Sequence, residues 1–286
     1  MPTSRFRGLA AAAAAIVLGA AGASPAAEPP RGSGGVRLYV LDCGVLLYNS
    51  LARFGYRKGE ITPTTLSDSC YLIEDPGRGT LIWDTGVIPD SLWTGDGVPP
   101  KKQYGEGTKP LAPQLAAIGV KPADVTYAAV SHLHWDHVAN LYQFSGSTWL
   151  VHPWTRDKVA EPGDKYDPSM FEALKGTRTV VLPTDRDYDV FGDGRVVIVQ
   201  APGHTPDSAV LLVRLAHHRP VILCGDLYHF RNDVLRDKAM ANEDAPVLAA
   251  SRAKVQALAR SLGAEVWIGH DMREFVRLKK APQFYD

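Results

Sequence analysis

Short apolar runs, punctuated by glycine, proline and polar residues, follow one another along most of the chain. Runs rich in β-branched and aromatic residues between turn formers predict strands. They fall at VRLYVLDC (36–43), SCYLIE (69–74), TLIWDTG (80–86), VTYAAVS (125–131), TWLVH (148–152), TVVL (179–182), VVIVQ (196–200), AVLLVRL (209–215), VILCG (221–225) and VWIG (266–269). Helical spacing is confined to two places. LAPQLAAIG (111–119) ends on Gly119. In PVLAASRAKVQALARSLG (246–263), Leu248, Val255, Leu258 and Leu262 share one face and Gly263 can end the helix. Many strands with few helices placed between them predict a sheet-rich α/β sandwich. Between them, residues 87–110 are rich in glycine and proline with no apolar period, which predicts a lid or binding loop.

The first residues do not fit this pattern. Arg5 and Arg7 precede an apolar stretch from about Gly8 to Ala23, followed by small residues and prolines. That order predicts a signal peptide over 1–23, cut after Ala21-Gly22-Ala23, with a cut after Ala26 as the second choice. The run is alanine-rich and shorter than the roughly 18–20 residues of a membrane span, which disfavours an anchor. Residues 24–35 then form a Pro/Gly/Ser linker and 36–286 a single domain, exported to the periplasm or secreted.

Charge excludes some partners. The 31 basic residues balance 31 acidic ones, and no basic stripe suggests nucleic acid. The three cysteines, Cys43, Cys70 and Cys224, leave at least one free thiol. Cys224 reads as a buried small hydrophobe, whereas a Cys43–Cys70 pairing is left open. A monomer and a homodimer are both compatible with the chain.

The chemistry concentrates at SHLHWDHVAN (131–140). A lone histidine is most often a satisfied surface or core residue. Three histidines and an aspartate within six positions after a buried strand would be costly to bury unpaired, and they predict a metal site. Alternation along an extended chain points His132 and His134 the same way, and Asp136 and His137 fall on the turn that opens a helix. Three later strand ends deliver further donors: His204 in APGHTPDS, Asp226 in VILCGDLYHF and His270 in VWIGHD. Open α/β sheets place their sites at such carboxyl ends.

HLHWDH (132–137), GHTPDS (203–208), CGD (224–226) and IGH (268–270), with Asp84 of IWDTG, resemble the motifs of the metallo-β-lactamase-fold hydrolases. The resemblance implies an αββα sandwich of two mixed sheets flanked by helices, with a two-metal site at one edge. By that resemblance His132, His134 and His204 hold one metal, Asp136, His137 and His270 hold the other, and Asp226 bridges them. Asp84 orients the histidine loop. The implied cofactor is two zinc ions per chain, other divalent metals being open.

An aspartate at position 226 is shared with glyoxalase II, RNase Z-like nucleases and N-acyl homoserine lactonases, and is generally missing from true metallo-β-lactamases. SCYLIE, LIWDTG, SHLHWDHVANL and GDLYHF look most like the lactonase branch. The implied function is hydrolysis of N-acyl homoserine lactones or related small lactones and esters. Asp136 would orient the nucleophile, and Tyr228 or His229 would hold the oxyanion. Lactonases place a tyrosine three residues after the bridging aspartate; this chain has His229 there and Tyr228 one earlier. Leu46, Leu47, Phe54, Leu92 and Trp93 are the candidates for contacting an acyl tail. The alternatives are a β-lactam, thioester or phosphodiester hydrolase, a mono-iron persulfide dioxygenase, and a non-catalytic metal-binding protein.

Overall fold

A computed structural model describes Met1 and residues 34–160, 169–236 and 238–286. The expected signal peptide and almost all of the expected linker lie outside the described residues. Chain contacts separate Met1–Arg31 from Gly32–Asp286, and the second unit holds the two sheets.

Two mixed sheets form its centre. The first comprises β1 (Arg37–Leu46), β2 (Leu66–Asp75), β3 (Gly79–Trp83), β4 (Lys101–Lys102), β5 (Gly105–Glu106), β6 (Tyr127–Ala129), β7 (Thr148–Val151) and β8 (Thr179–Val181). Its strand order is β4-β5-β1-β2-β3-β6-β7-β8. The second comprises β9 (Tyr188–Asp189), β10 (Val196–Gln200), β11 (Ala209–Val213), β12 (Val221–Leu223) and β13 (Glu265–Trp267), in the order β13-β12-β11-β10-β9.

Period-two side-chain alternation explains the layers. Leu38 and Val40 of β1, Ile73 of β2 and Leu81 of β3 pack with Ile198, Leu211 and Leu223 of the second sheet. The intervening Tyr39, Leu41, Leu72 and Ile82 turn to the opposite face and pack with Leu111 and Leu115 of helix α1 (Leu111–Ala116) and Leu141 and Phe144. The second sheet likewise presents Val210, Leu212 and Ile222 to Leu248 and Val255 of the long helix at Ala245–Leu262. Because both faces of each sheet are covered, the central strands read as nearly unbroken apolar runs. The result is the expected αββα sandwich.

That long helix starts where Asp244 accepts the Val247 N–H at 3.2 Å and stops at Gly263, whose φ of 60° is left-handed. Cys43 and Cys70 lie within paired β1 and β2, not at strand ends, and are joined in a disulfide with Cα atoms 5.8 Å apart. The 87–110 segment is not wholly irregular. Its β4–β5 hairpin adds to the edge of β1, because Leu46 pairs with Gly105 and Val45 with Glu106. Among the described residues, no helix is long and apolar enough to cross a membrane.

Candidate metal centre

Five chain segments converge at one edge of the two sheets. β3 ends on Asp84, which has a left-handed φ of 60°, a conformation that aspartate tolerates better than most side chains. Its Oδ1 accepts the Ser131 N–H at 2.6 Å and its Oδ2 lies 3.0 Å from His137 Nδ1. Asp84 therefore holds both ends of the 131–137 loop. His134 is extended, and a single helical turn, α2 (Trp135–Val138), follows and carries Asp136 and His137.

Two glycines let the remaining loops close in. A Cβ on Gly203 would lie 2.4 Å from Leu248 Cα, so only glycine lets the His204 loop press against the long helix. A Cβ on Gly225 would lie 2.8 Å from Ser131 Cβ, so only glycine lets the Asp226 turn meet the histidine loop. Ser251 Oγ donates to the Pro202 carbonyl at 2.6 Å, and Gly203 O accepts the Asp244 N–H at 2.9 Å.

The convergence brings together every donor the motifs pointed to. His132 Nε2 and His204 Nε2 lie 2.7 and 2.9 Å from His134 Nδ1. Asp226 Oδ2 faces this group, 3.2 Å from His204 Nε2 and 3.7 Å from His132 Nε2. Its other oxygen, Oδ1, lies 3.2 Å from His137 Nε2 and 3.1 Å from His270 Nε2. Asp136 Oδ2 is 3.8 Å from His270 Nε2. Two clusters result, His132/His134/His204/Asp226 and Asp136/His137/His270, and the Asp226 carboxylate touches both.

The outward ring nitrogens are held by the protein. His270 Nδ1–H donates to the Ser67 carbonyl at 2.8 Å, and His132 Nδ1 lies 3.1 Å from Ser131 Oγ. His204 Nδ1 lies 2.6 Å from a Glu243 carboxylate oxygen. These contacts aim the Nε2 atoms of His132, His137, His204 and His270 inward.

Burial and opposite charge pull ring protonation in different directions across the two clusters. Burial works against protonating His204 and His270, but the Asp226 carboxylate outweighs it and raises each to about 9. Burial is likewise overcome at His137, by Asp84 and Asp226, and its pKa rises well above the usual value. Burial lowers His134 to about 4 and His132 well below the ordinary range, aided by the neighbouring imidazoles. Among the described residues, the buried Nε2 atoms of His137 and His270, and Asp226 Oδ1, have no partner of hydrogen-bond geometry. Converging buried nitrogens and an orphaned carboxylate oxygen fit a divalent metal, and the N/O donor set suits one of borderline softness.

Next to the clusters is a cavity of about 210 Å3. Leu46, Tyr48, Phe54, Leu66, Trp135 and Met240 give it an apolar wall, and Arg53, Tyr104 and Asn242 add polar groups. Asp136, His229 and Asp226 open into it. Of the expected tail contacts, Leu46 and Phe54 line this cavity and Leu47, Leu92 and Trp93 do not. A larger cleft of about 520 Å3, beside Arg231, Trp267 and Arg277, contains none of the cluster residues.

Tyr228 does not join the site. Its hydroxyl accepts from Gln256 Nε2 at 2.9 Å, and the Arg252 guanidinium lies 5.0 Å from its ring centre. The backbone of Tyr228 is extended (φ −142°, ψ 138°), so consecutive side chains leave on opposite sides and only one of the pair can face the metals. That one is His229, whose Nε2 lies 3.2 Å from Asp226 Oδ2.

Two buried acids lay outside the motif reading. Glu243 has no local signal, because it precedes a helix cap and meets His204 across 39 positions. Asp68 belongs to no motif and precedes the predicted 69–74 strand, whereas the observed β2 begins at Leu66 and includes it. It is fully enclosed, and burial pushes its pKa well above the carboxylate range despite the nearby His137 and His270.

The fold and the paired clusters define a metal-dependent hydrolase. Residues 63–270 match the metallo-beta-lactamase superfamily, and the chain belongs to it. It is 31% identical over 270 residues to the N-acyl homoserine lactonase AttM of Azorhizobium caulinodans, covering 88% of this chain and 99% of that one. An N-acyl homoserine lactonase of a Bacillus species is 24% identical over 241 residues, 78% of this chain and 90% of that one. The fold is shared with an N-acyl homoserine lactone hydrolase solved with N-hexanoyl-L-homoserine at its catalytic metal centre. The TM-score is 0.71 at 21% identity, covering 87% of this chain and 98% of that one. AidC, a dizinc quorum-quenching lactonase, superposes with a TM-score of 0.63 at 15% identity, covering 90% and 95%.

Proposed function

We propose that the protein is an exported dinuclear zinc lactonase that opens the ring of N-acyl homoserine lactones or related small lactones. The observation that carries this reading is the Asp226 carboxylate, with one oxygen against each histidine cluster beside a cavity with an apolar wall. Full-length similarity to curated lactonases supports the substrate class. The Cys43–Cys70 disulfide supports an oxidising compartment.

His132, His134, His204 and Asp226 would hold one metal, and Asp136, His137, His270 and Asp226 the other. When bound, such a pair supplies Lewis acidity toward the ester carbonyl and makes water acidic enough to deprotonate near neutral pH. Asp136, which lines the cavity, orients the attacking water and takes its proton. His229, which lines the same cavity, donates a hydrogen bond from Nε2 to the oxygen on which negative charge develops. Breaking the ring C–O bond leaves a carboxylate and an alcohol, whose oxygen receives the proton. The apolar wall takes the acyl chain, and the polar groups of Tyr104 and Asn242 face the amide.

The deciding experiment is a panel assayed with purified, metal-analysed protein: short- and long-chain acyl homoserine lactones, nitrocefin, a thioester and a phosphodiester. Ring opening of the lactones should dominate, with about two zinc ions per chain. Faster turnover of any other class, or one iron per chain with oxygen uptake, would overturn the proposal.

A further inference from the structure

Glu243 is a buried carboxylate to which no motif points. Its side chain is 1% exposed, and that of His204 is 2% exposed. One oxygen lies 2.6 Å from His204 Nδ1, and the other accepts the Met240 N–H. A carboxylate removed from water this completely is destabilising unless its partners compensate, and here the compensating ring is one of the converging imidazoles.

The pairing has a counterpart. His137, in the other cluster, is held from behind by Asp84 at 3.0 Å. Among the described residues, Nδ1 of His132 and of His270 meets a neutral oxygen instead, the Ser131 hydroxyl and the Ser67 carbonyl. Each cluster therefore contains one imidazole backed by a full negative charge. A carboxylate on Nδ1–H fixes the tautomer, locks the ring plane and makes the opposite nitrogen a stronger donor.

The segment that carries Glu243 also shapes the cavity. Met240 and Asn242 line its wall, and the Glu243 N–H bonds back to the Met240 carbonyl at 3.1 Å. Asp244 then caps the long helix and donates its N–H to Gly203, beside His204.

We infer that Glu243 is a positioning residue for the His132/His134/His204 metal, the counterpart of Asp84 for the other, and that it ties this metal to the cavity wall at Met240. The inference rests on reading the two clusters as metal sites. It is tested by metal affinity and by the cobalt spectrum, independently of any lactone.

Wild type, Glu243→Gln, Glu243→Ala and Asp84→Asn are stripped and titrated with zinc against a chromophoric chelator, then loaded with cobalt. In Glu243→Ala one equivalent should weaken by about 10- to 100-fold while the other is unchanged, with a smaller effect in Glu243→Gln. Asp84→Asn should weaken the other equivalent, so the two variants change different cobalt bands. Wild-type affinities and spectra in both Glu243 variants would overturn the inference, as would loss of the same equivalent in Glu243→Gln and Asp84→Asn. Should Glu243→Ala not fold, Glu243→Gln decides alone. If wild type binds no metal, the cluster reading falls and the inference with it. If it binds two metals but opens no lactone, only the substrate assignment fails.

Discussion

His229 Nε2 meets Asp226 Oδ2 at 3.2 Å, whereas the phenol of Tyr228, one residue earlier, is bonded to Gln256 on the far side of the backbone. The two neighbours should therefore separate cleanly in kinetics. His229→Ala should lower kcat by about 100-fold, the scale of one lost oxyanion donor. Tyr228→Phe removes the hydrogen bond from Gln256 and touches no cluster residue, so it should cost about 1 kcal/mol in denaturant unfolding and leave kcat unchanged. The reverse pattern in steady-state assays would return the catalytic role to Tyr228.

Asp136 opens into the cavity and lies 3.8 Å from His270. Asp136→Asn keeps its size while removing the proton acceptor. It should lower kcat by roughly 100- to 10,000-fold with an unchanged circular dichroism spectrum. Full retained turnover would rule out the proposed proton transfer.

Metal removal should loosen the sandwich. His132, His134, Asp136 and His137 follow β6 of the first sheet, whereas His204, Asp226 and His270 follow strands of the second. A cation bound between them favours the folded state by about 2.7 kcal/mol when its concentration is 100 times its dissociation constant. Chelator should therefore lower the melting temperature and zinc should restore it. A melting curve indifferent to both would argue against a bound metal.

Arg53 lies against the rings of Tyr48 and Phe54, at 5.5 Å from each ring centre, and lines the cavity. Its Nη1 lies 3.4 Å from the Tyr48 hydroxyl. Arg53→Ala removes a cavity-lining side chain that is not one of the cluster residues, so KM for acyl lactones should rise several-fold, on the order of 1 kcal/mol, with kcat unchanged. A fall in kcat at constant KM would place Arg53 in the chemistry instead.

The Cys43–Cys70 disulfide closes a loop spanning 27 positions, which includes Phe54 and Arg53 of the cavity wall. The double substitution Cys43→Ser/Cys70→Ser should cost about 2–4 kcal/mol of stability. Thiol titration of unfolded, unreduced protein should find Cys224 alone. Three titratable thiols would mean that the pair does not form.

The strands and the seven cluster residues were legible because their signals are local. Buried strands need unbroken apolar runs, and histidines crowded at a strand end have few other uses. The motif order in 132–137, 203–208, 224–226 and 268–270 then carried the fold. Where each run ends was less legible: the predicted TLIWDTG strand closes at Trp83, because Asp84 turns left-handed to hold the histidine loop.

Other features depended on what lies opposite in space. Whether Tyr228 or His229 faces the cluster turns on one extended residue after a tight turn. The Cys43–Cys70 pairing needed the β1–β2 register, which sets Leu41 beside Cys70. The 87–110 segment became part of a sheet only because the edge of β1 has backbone groups to satisfy. Glu243 had no sequence signal, since a carboxylate beside a helix cap is ordinary until folding buries it against His204. Sequence by itself determined the donors and the strands that deliver them, because those preferences act between near neighbours. Only tertiary structure decided which groups stand behind the donors and which side chains line the cavity, because those contacts join segments far apart in the chain.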